Sequence, residues 1–292
     1  GDVTGVIARG NTIVVSVGSI SPRGVFRSTD AGATFQAVND PIMTASQGIV
    51  RTLAGNPTNN AIIYAGKYGQ AAGTNGIFLS SDSGATWSKI SNQAMDTLLG
   101  ASALFSGNIK IAASPAGALY VGVVTNSVLG GVFRSTDNGA NWTTMDLPAT
   151  VETGSGSSVT VGIHPGQQGD IHFALVADPS NPNLVYISGD SQPDSGSPNQ
   201  TNLFPNSIGA NDYSGRAFRG DASKPTGSQW VHLTHSNNLG AVGGGTANNS
   251  APHADSRGMV FDANGAILFI CDGGIYRRTS PTDNTGDWFS VN

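Results

Sequence analysis

The chain has 292 residues and a net charge of −5, and only 11% of its residues are charged. Its ten arginines and four lysines are scattered, unlike the clustered basic surface of a nucleic-acid-binding protein, so no nucleic-acid partner is expected. No apolar run reaches the roughly 18 residues of a membrane helix, so no membrane span is expected. Forty glycines and 14 prolines, together with the low charge, favour an all-β protein with many turns.

Along the chain, one eight-residue phrase occurs three times, each time after a short apolar run. The copies are Ser28–Phe35, Ser80–Trp87 and Ser135–Trp142. Their aspartates, Asp30, Asp82 and Asp137, are 52 and 55 residues apart. Repeats at this spacing indicate one supersecondary unit copied along the chain.

The phrase has the chemistry of a tight turn between two strands. Its aspartate can accept backbone N–H bonds within the turn, and its glycine can adopt a positive φ. The aromatic residue that ends it, such as Trp87 or Trp142, is expected to pack beneath the turn. A structural role is therefore predicted for Asp30, Asp82 and Asp137.

Weaker copies of the phrase lie at 215–230 and 274–288. Upstream of every copy are two strand-like segments joined by a turn, so each unit predicts four strands with the repeated turn between the third and the fourth. The predicted units are residues 1–40, 47–91, 108–147, 168–234 and 252–292 of a single domain. A four-stranded unit repeated around an axis is the blade of a β-propeller.

The repeated phrase resembles the Asp-box, or BNR repeat, of sialidases, xyloglucanases and sortilin-type receptors. The resemblance implies an all-β propeller of four-stranded antiparallel blades with Asp-box turns between the third and fourth strands. Such propellers usually have six or seven blades, and the sequence leaves open whether the five visible units close alone or form part of a larger ring. The resemblance also implies an extracellular or cell-surface location.

Propeller geometry places the repeated turns on one face, together with the turns between the first and second strands. The loops between the second and third strands and the crossovers between units lie on the other face, around the channel mouth. Two segments of the fifth unit are expected to meet at that mouth. They carry His253, Asp255, Arg257 and Asp272. This group could clamp the last crossover by hydrogen bonds, bind a ligand, or perform acid–base chemistry.

Three aromatic residues are expected in loops on the same side. Tyr68, Phe204 and Tyr213 could there stack on a sugar ring. The sequence indicates no cofactor and no defined metal ligand set, although the carboxylates could accommodate Ca²⁺.

The resemblance separates two enzyme classes. Active sialidases use an arginine cluster, a Tyr/Glu pair and an Arg-Ile-Pro motif, whereas this chain has a single glutamate, Glu152, and no such motif. Xyloglucanases use two aspartates, one of them in an Asp-x-Gly-Gly-x-Tyr-Arg stretch. The segment Asp272–Arg277 is similar but one residue shorter, and Asp190 holds the corresponding strand-end position in the neighbouring unit. Asp272 and Asp190 are therefore the candidate catalytic pair.

Three functions remain open from the sequence. The first is an extracellular propeller that recognises a glycan at the channel mouth. The second is a glycoside hydrolase of xyloglucanase type. The third is a scaffold that binds a protein ligand there, as sortilin-type receptors do. Whether the chain is an enzyme is left undecided.

Overall fold

The computed structural model describes residues 2–18, 23–43, 49–69, 72–100, 106–154, 157–195, 200–234 and 250–292. This part of the chain forms five four-stranded antiparallel sheets and one two-stranded hairpin. In every four-stranded sheet the strands are adjacent in chain order, with no crossover. The predicted all-β fold of four-stranded antiparallel blades is therefore confirmed.

The strands are numbered in chain order, four to a blade. Blade 1 contains β1 (Val3–Arg9), β2 (Thr12–Val17), β3 (Gly24–Ser28) and β4 (Gln36–Ala37). Blade 2 contains β5 (Ile49–Gly55), β6 (Ile63–Tyr68), β7 (Gly76–Ser80) and β8 (Ser88–Lys89). Blade 3 contains β9 (Asn108–Ala113), β10 (Leu119–Thr125), β11 (Val128–Ser135) and β12 (Thr143–Met145).

A two-stranded hairpin, β13 (Thr150–Gly154) and β14 (Ser157–Val161), precedes the fourth blade. Blade 4 contains β15 (Ala174–Ala177), β16 (Leu184–Ser191), β17 (Gly215–Asp221) and β18 (Trp230–His232). Blade 5 contains β19 (Ser256–Phe261), β20 (Ile267–Cys271), β21 (Gly274–Arg278) and β22 (Trp288–Ser290).

Two short helices lie among the strands, and the sequence pattern did not indicate either. A 3-10 helix spans Ala72–Thr74, and α1 spans Gln93–Gly100. Asn92 caps α1, because its Oδ1 accepts a 3.0 Å hydrogen bond from the backbone N–H of Met95. Met95 and Leu99 then bury the apolar side of α1 against blades 2 and 3.

The core lies between consecutive blades. The first strand of each blade contacts the first strand of the next one, from β1 to β19. Four apolar clusters fill the four spaces between the five blades, as in the packing of Val14 and Val25 of blade 1 against Ile63 and Phe78 of blade 2. A blade in the interior of the row is consequently buried on both faces, which explains the uninterrupted burial of β6 and β16.

The eight-residue phrase forms the same turn in all three copies. In the first copy, Asp30 Oδ1 accepts a hydrogen bond from the backbone N–H of Thr34, and Oδ2 accepts one from its hydroxyl, at 2.9 and 2.6 Å. Ser28 Oγ donates to Asp30 and accepts from the backbone N–H of Gly32, whose φ is 92°. Hydrogen bonds from Ser28 and Thr34 lower the pKa of Asp30 to about 2.

The aromatic residues that end the phrase differ in their burial. Trp87 is buried between blades 1 and 2, and Trp142 is half-buried against blade 2. Phe35 is 44% exposed. The expectation that the aromatic side chain is covered is therefore wrong for the first copy. The preceding blade buries Trp87 and Trp142, and the described residues contain no blade that precedes Phe35.

Candidate functional site

One edge of blades 4 and 5 gathers the ionisable side chains. His172 precedes β15, and Asp190 lies near the end of β16. Asp255 directly precedes β19, and Asp272 directly follows β20. Since neighbouring antiparallel strands run in opposite directions, a strand start and the end of its partner share an edge of the sheet. The repeated turns follow the third strands and therefore lie at the other edge.

His172 links the two blades. Its Nδ1 lies 3.1 Å from Asp255 Oδ1 and 3.0 Å from Gln168 Oε1. Because both neighbours are oxygen acceptors, Nδ1 carries a hydrogen in this arrangement. One ligand atom from each of His172, Asp255 and Asp272 lies within 4.8 Å of the others, a spacing that could hold a cation. However, the hydrogen on Nδ1 is directed toward the oxygens of Asp255 and Gln168, and the carboxylate of Asp272 is already hydrogen-bonded to an arginine.

Asp190 is the most strongly perturbed carboxyl of this group. It is 0% exposed, its Oδ2 accepts a 3.2 Å hydrogen bond from the backbone N–H of Gln168, and its Oδ1 has no partner among the described residues. Burial, aided by the charge of Asp255, raises the pKa of Asp190 to about 7. Asp190 therefore lies at the predicted strand end but does not open to solvent in this structure.

Asp272 is the exposed carboxyl. Arg257 binds it with two hydrogen bonds, from Nε at 2.8 Å and from an Nη nitrogen at 3.2 Å. These bonds lower the pKa of Asp272, so it is ionised at neutral pH. Asp255 and Asp272 thus present two carboxylates next to one guanidinium, in the segments that the sequence singled out.

An exposed aromatic pair lies beside the carboxylates. Tyr213 and Phe204 are 46% and 41% exposed, and their ring centroids are 5.1 Å apart in an edge-to-face arrangement. The ring of His253 lies 6.4 Å from that of Tyr213. Tyr213 accepts a 2.8 Å backbone hydrogen bond from Ala254, which fixes the pair against the segment that carries Asp255.

Tyr68 is not part of this surface. It is the last residue of β6, is 1% exposed, and packs in the core between blades 2 and 3. The prediction that it lies in a mouth-side loop is wrong, because β6 extends as far as Tyr68 and is buried along its whole length. His253, Asp255, Arg257, Asp272 and Tyr213 do lie together, whereas Tyr68 lies apart from them.

A buried network behind the site was missed by the sequence reasoning. Arg216 is fully buried and donates hydrogen bonds to the backbone carbonyls of Val161 and Gly162 and to the side chains of Thr150 and Gln192. Glu152 Oε1 lies 3.6 Å from its Nη1 atom. Burial lowers the pKa of Arg216 to about 10. The available signal was the arginine itself, which stands where the other copies of the apolar run have glycine.

His172 and Gln168 were also missed as site residues. The sequence shows His172 only as the start of a strand-like run, and nothing in that run indicates what faces it. Its partner Asp255 lies 83 residues further along the chain, so their contact is visible only once the blades are packed.

Among the described residues, no helix is long and apolar enough to cross a membrane.

Comparison with known proteins gives one curated relative and several similar folds. A xyloglucanase from a Paenibacillus species is 31% identical in an alignment 140 residues long, and the alignment covers 41% of this chain and 13% of that protein. No protein-family profile matches the chain. The chain therefore spans only a small part of the curated protein that it matches.

The similar folds are β-propeller enzymes. The GH74 xyloglucanase of Xanthomonas campestris superposes with a TM-score of 0.53 at 16% identity, over 96% of this chain and 37% of that one. The GH74 enzyme of Niastella koreensis gives 0.56 at 18% identity, over 96% and 36%. An ancestral GH74 enzyme gives 0.57 at 16% identity, over 99% and 33%. The chain has the β-propeller fold of these proteins over about a third of their length.

Proposed function

We propose that the protein is an Asp-box propeller of the xyloglucanase-like kind that acts outside the cell. The edge of blades 4 and 5 that carries Asp255 and Asp272 binds a carbohydrate. The observation that carries the proposal is the exposed pair of Tyr213 and Phe204, which a backbone hydrogen bond from Ala254 joins to the segment that carries Asp255. A pyranose ring offers an apolar C–H face and a rim of hydroxyl groups. An aromatic surface suits the first, and ionised carboxylates with a guanidinium suit the second.

The comparisons support a glycan of the β-glucan class. The curated relative is a xyloglucanase, and the similar folds include GH74 xyloglucanases. The mixed lining also agrees with the general character of small-ligand sites, where apolar surface provides contact area and a few polar groups fix the orientation.

The test is binding of xyloglucan oligosaccharides, measured by calorimetry. Tyr213→Ala and Phe204→Ala are each expected to weaken binding about tenfold, equivalent to about 1.4 kcal/mol. Phe35→Ala is the matched control, because Phe35 is an equally exposed aromatic residue on blade 1, and it is expected to leave the affinity unchanged. Absence of binding by the parent chain, or equal affinities for all variants, would contradict the proposal.

Hydrolysis is the second candidate, and the contrast between the two predicted catalytic carboxyls favours considering it. Glycoside hydrolases combine a protonated carboxyl acid with an ionised carboxylate. Asp272 is exposed and ionised and suits the role of base. Asp190 is protonated over much of the neutral range, but its 0% exposure keeps it from touching a glycosidic oxygen in this structure. We assign it the role of a positioning residue that holds Gln168 beside His172.

A reducing-sugar assay on xyloglucan separates binding from hydrolysis. If Asp272 acts as a base, Asp272→Asn abolishes turnover while oligosaccharide binding remains within a few fold of the parent. As a positioning residue, Asp190→Asn is expected to retain measurable turnover with an altered pH profile. Binding without turnover in the parent chain would leave glycan recognition as the function and remove hydrolysis.

A further inference from the structure

Equivalent positions in the five blades reveal an uncovered face on blade 5. The residue that directly precedes the aromatic residue of each third strand packs against the following blade, as Val25 before Phe26 does in blade 1. Its equivalents in blades 2 to 4, Ile77, Val132 and Ala217, are at most 2% exposed, whereas Ile275 in blade 5 is 40% exposed. We call the surface of Val260, Ile270, Ile275 and Phe289 the trailing face; all four residues are exposed.

Blade 1 has a complementary uncovered face on its other side. The aromatic residue of each third strand packs against the preceding blade. Its copies Phe78, Phe133 and Phe218 are buried. Phe26 is only half-buried and lines a shallow hollow with Val15, Val17 and Phe35. We call this hollow the leading face. All four lining residues are apolar, as they are at the interfaces between blades.

Hydrogen bonds between blades show the same pattern. The indole N–H of Trp142 donates to the carbonyl of Ile90 in the preceding blade segment at 2.7 Å. The indole N–H groups of Trp230 and Trp288 likewise donate to backbone carbonyls that precede their own blades, those of Asp146 at 2.7 Å and Leu233 at 2.9 Å. Phe35 holds this position in blade 1 and lies exposed. Trp87 in blade 2 donates to Gly84 of its own turn instead, but it is still buried against blade 1. What stops at the leading face is therefore the contact of this aromatic residue with a preceding blade.

The arginines of the third strands show that the trailing face also lacks the contacts of an opposing blade. Arg27 and Arg219 each donate from the third strand to a backbone carbonyl of the following blade, at 2.9 and 3.2 Å. The equivalent Arg277 in blade 5 is bonded instead to Asp262 of its own blade. Both ends of the row thus carry the residues of a blade interface without the opposing blade.

We propose that the leading and trailing faces are blade interfaces, and that each receives a further four-stranded propeller blade carried by polypeptide outside these 292 residues. The two faces are of the two kinds that pair inside the row, yet they do not cover each other, since Phe35 of the leading face is 44% exposed and Ile275 of the trailing face is 40% exposed. The five blades are then an arc of a larger ring. Continuity with the four interfaces already formed identifies the occupant, and the similar GH74 chains are about three times as long as the part this chain covers.

The test compares thiol labelling in the 292-residue chain and in the whole natural polypeptide that contains it. Ile275→Cys reports on the trailing face and Phe35→Cys on the leading face, while Asn60→Cys in an exposed turn of blade 2 is the control. The native Cys271 provides little background, because it is buried and burial raises its pKa to about 11.

Labelling at positions 275 and 35 is expected to be at least tenfold slower in the whole polypeptide, with equal rates at position 60 in both. Equal rates at positions 275 and 35 would overturn the proposal. So would protection that appears in the 292-residue chain itself as its concentration rises, accompanied by a doubled mass in light scattering, because the occupant would then be a second copy. Neither measurement involves carbohydrate, so the blade-interface proposal and the proposed function can each be contradicted without the other.

Discussion

His172 and Asp255 belong to neighbouring blades, and their side chains meet with Nδ1 3.1 Å from Oδ1. Asp255 reaches this position with a φ of 70°, a left-handed conformation that aspartate and asparagine tolerate better than most residues. On one side, His172 contacts Gln168, whose backbone N–H donates a hydrogen bond to Asp190. On the other side lies Asp272, which is paired with Arg257. The charge of Asp255 therefore raises the pKa of Asp190, while the charge of His172 helps to lower that of Asp272.

Asp190 is expected to make the stability of the protein fall as the pH rises. Its pKa is about 7 in the folded protein against an ordinary value of 3.8, so between these values the folded state binds a proton that the unfolded state has lost. The free energy of unfolding should decrease over this window by about 4 kcal/mol at most. Asp190→Asn removes the ionisation, and urea unfolding at pH 4 to 8 should show the variant gaining stability over the parent as the pH increases.

Asp255 provides the control for that measurement. Its negative charge is one of the causes that raise the pKa of Asp190. Asp255→Asn preserves the left-handed backbone and removes the charge, so the pKa of Asp190 should fall in the folded variant. The pH range over which this variant loses stability should therefore end at a lower pH than in the parent. A stability difference between the parent and Asp190→Asn that is constant from pH 4 to 8 would show that Asp190 is not protonated in the folded protein.

The repeated turn is expected to depend on its serine. Ser80 is buried, donates to Asp82 Oδ1 at 2.8 Å, and accepts from the backbone N–H of Gly84 at 2.8 Å. Ser80→Ala leaves that buried N–H without an acceptor and should lower the free energy of unfolding by about 1–3 kcal/mol. Ser88→Ala, on the exposed fourth strand of the same blade, should change it by less than about 0.5 kcal/mol. Equal effects in chemical denaturation would contradict the assignment.

Arg216 is expected to hold the β13–β14 hairpin against blade 4. Arg216→Met removes four hydrogen bonds from buried acceptors and should destabilise the protein by about 3–5 kcal/mol. Arg27→Met is the matched control, because Arg27 is only half-buried and makes one hydrogen bond, to the carbonyl of Ser83, so its loss should cost about 1 kcal/mol. Thermal unfolding of both variants decides whether the buried network matters more than an ordinary contact between blades.

The sequence predicts the fold because the fold repeats. The turn chemistry of the phrase is local, since its serine and aspartate side chains accept hydrogen bonds from backbone N–H groups no more than four residues away, and three copies make the pattern unmistakable. The grouping of Asp255, Arg257 and Asp272 was also predictable, because strand starts and ends of one blade share an edge. What depends on neighbouring blades was not predictable, including the contact of His172 with Asp255 and the burial of Asp190.

The errors have the same physical origin. Tyr68 and Asp190 lie near the ends of second strands, and a sequence cannot indicate which strand end a loop covers. Phe35 and Trp142 occupy equivalent positions in the phrase, yet one is exposed and the other half-buried, because their surroundings come from another blade. A repeat therefore fixes each blade more securely than it fixes the contacts of the side chains between blades.

Arg257 is expected to control the ionisation of Asp272 specifically. The largest cause of the lowered pKa of Asp272 is its hydrogen bond to Arg257, whereas that of Asp262 is lowered mainly by the backbone N–H of Ala266, with Arg277 contributing less. Carboxyl carbon NMR titration should therefore show a clear rise in the pKa of Asp272 in Arg257→Gln and a smaller rise for Asp262 in Arg277→Gln. If Asp272 serves as a base in hydrolysis, the acid limb of the activity profile should move upward with the first variant only. An unchanged titration of Asp272 would mean that its two hydrogen bonds to Arg257 do not persist in solution.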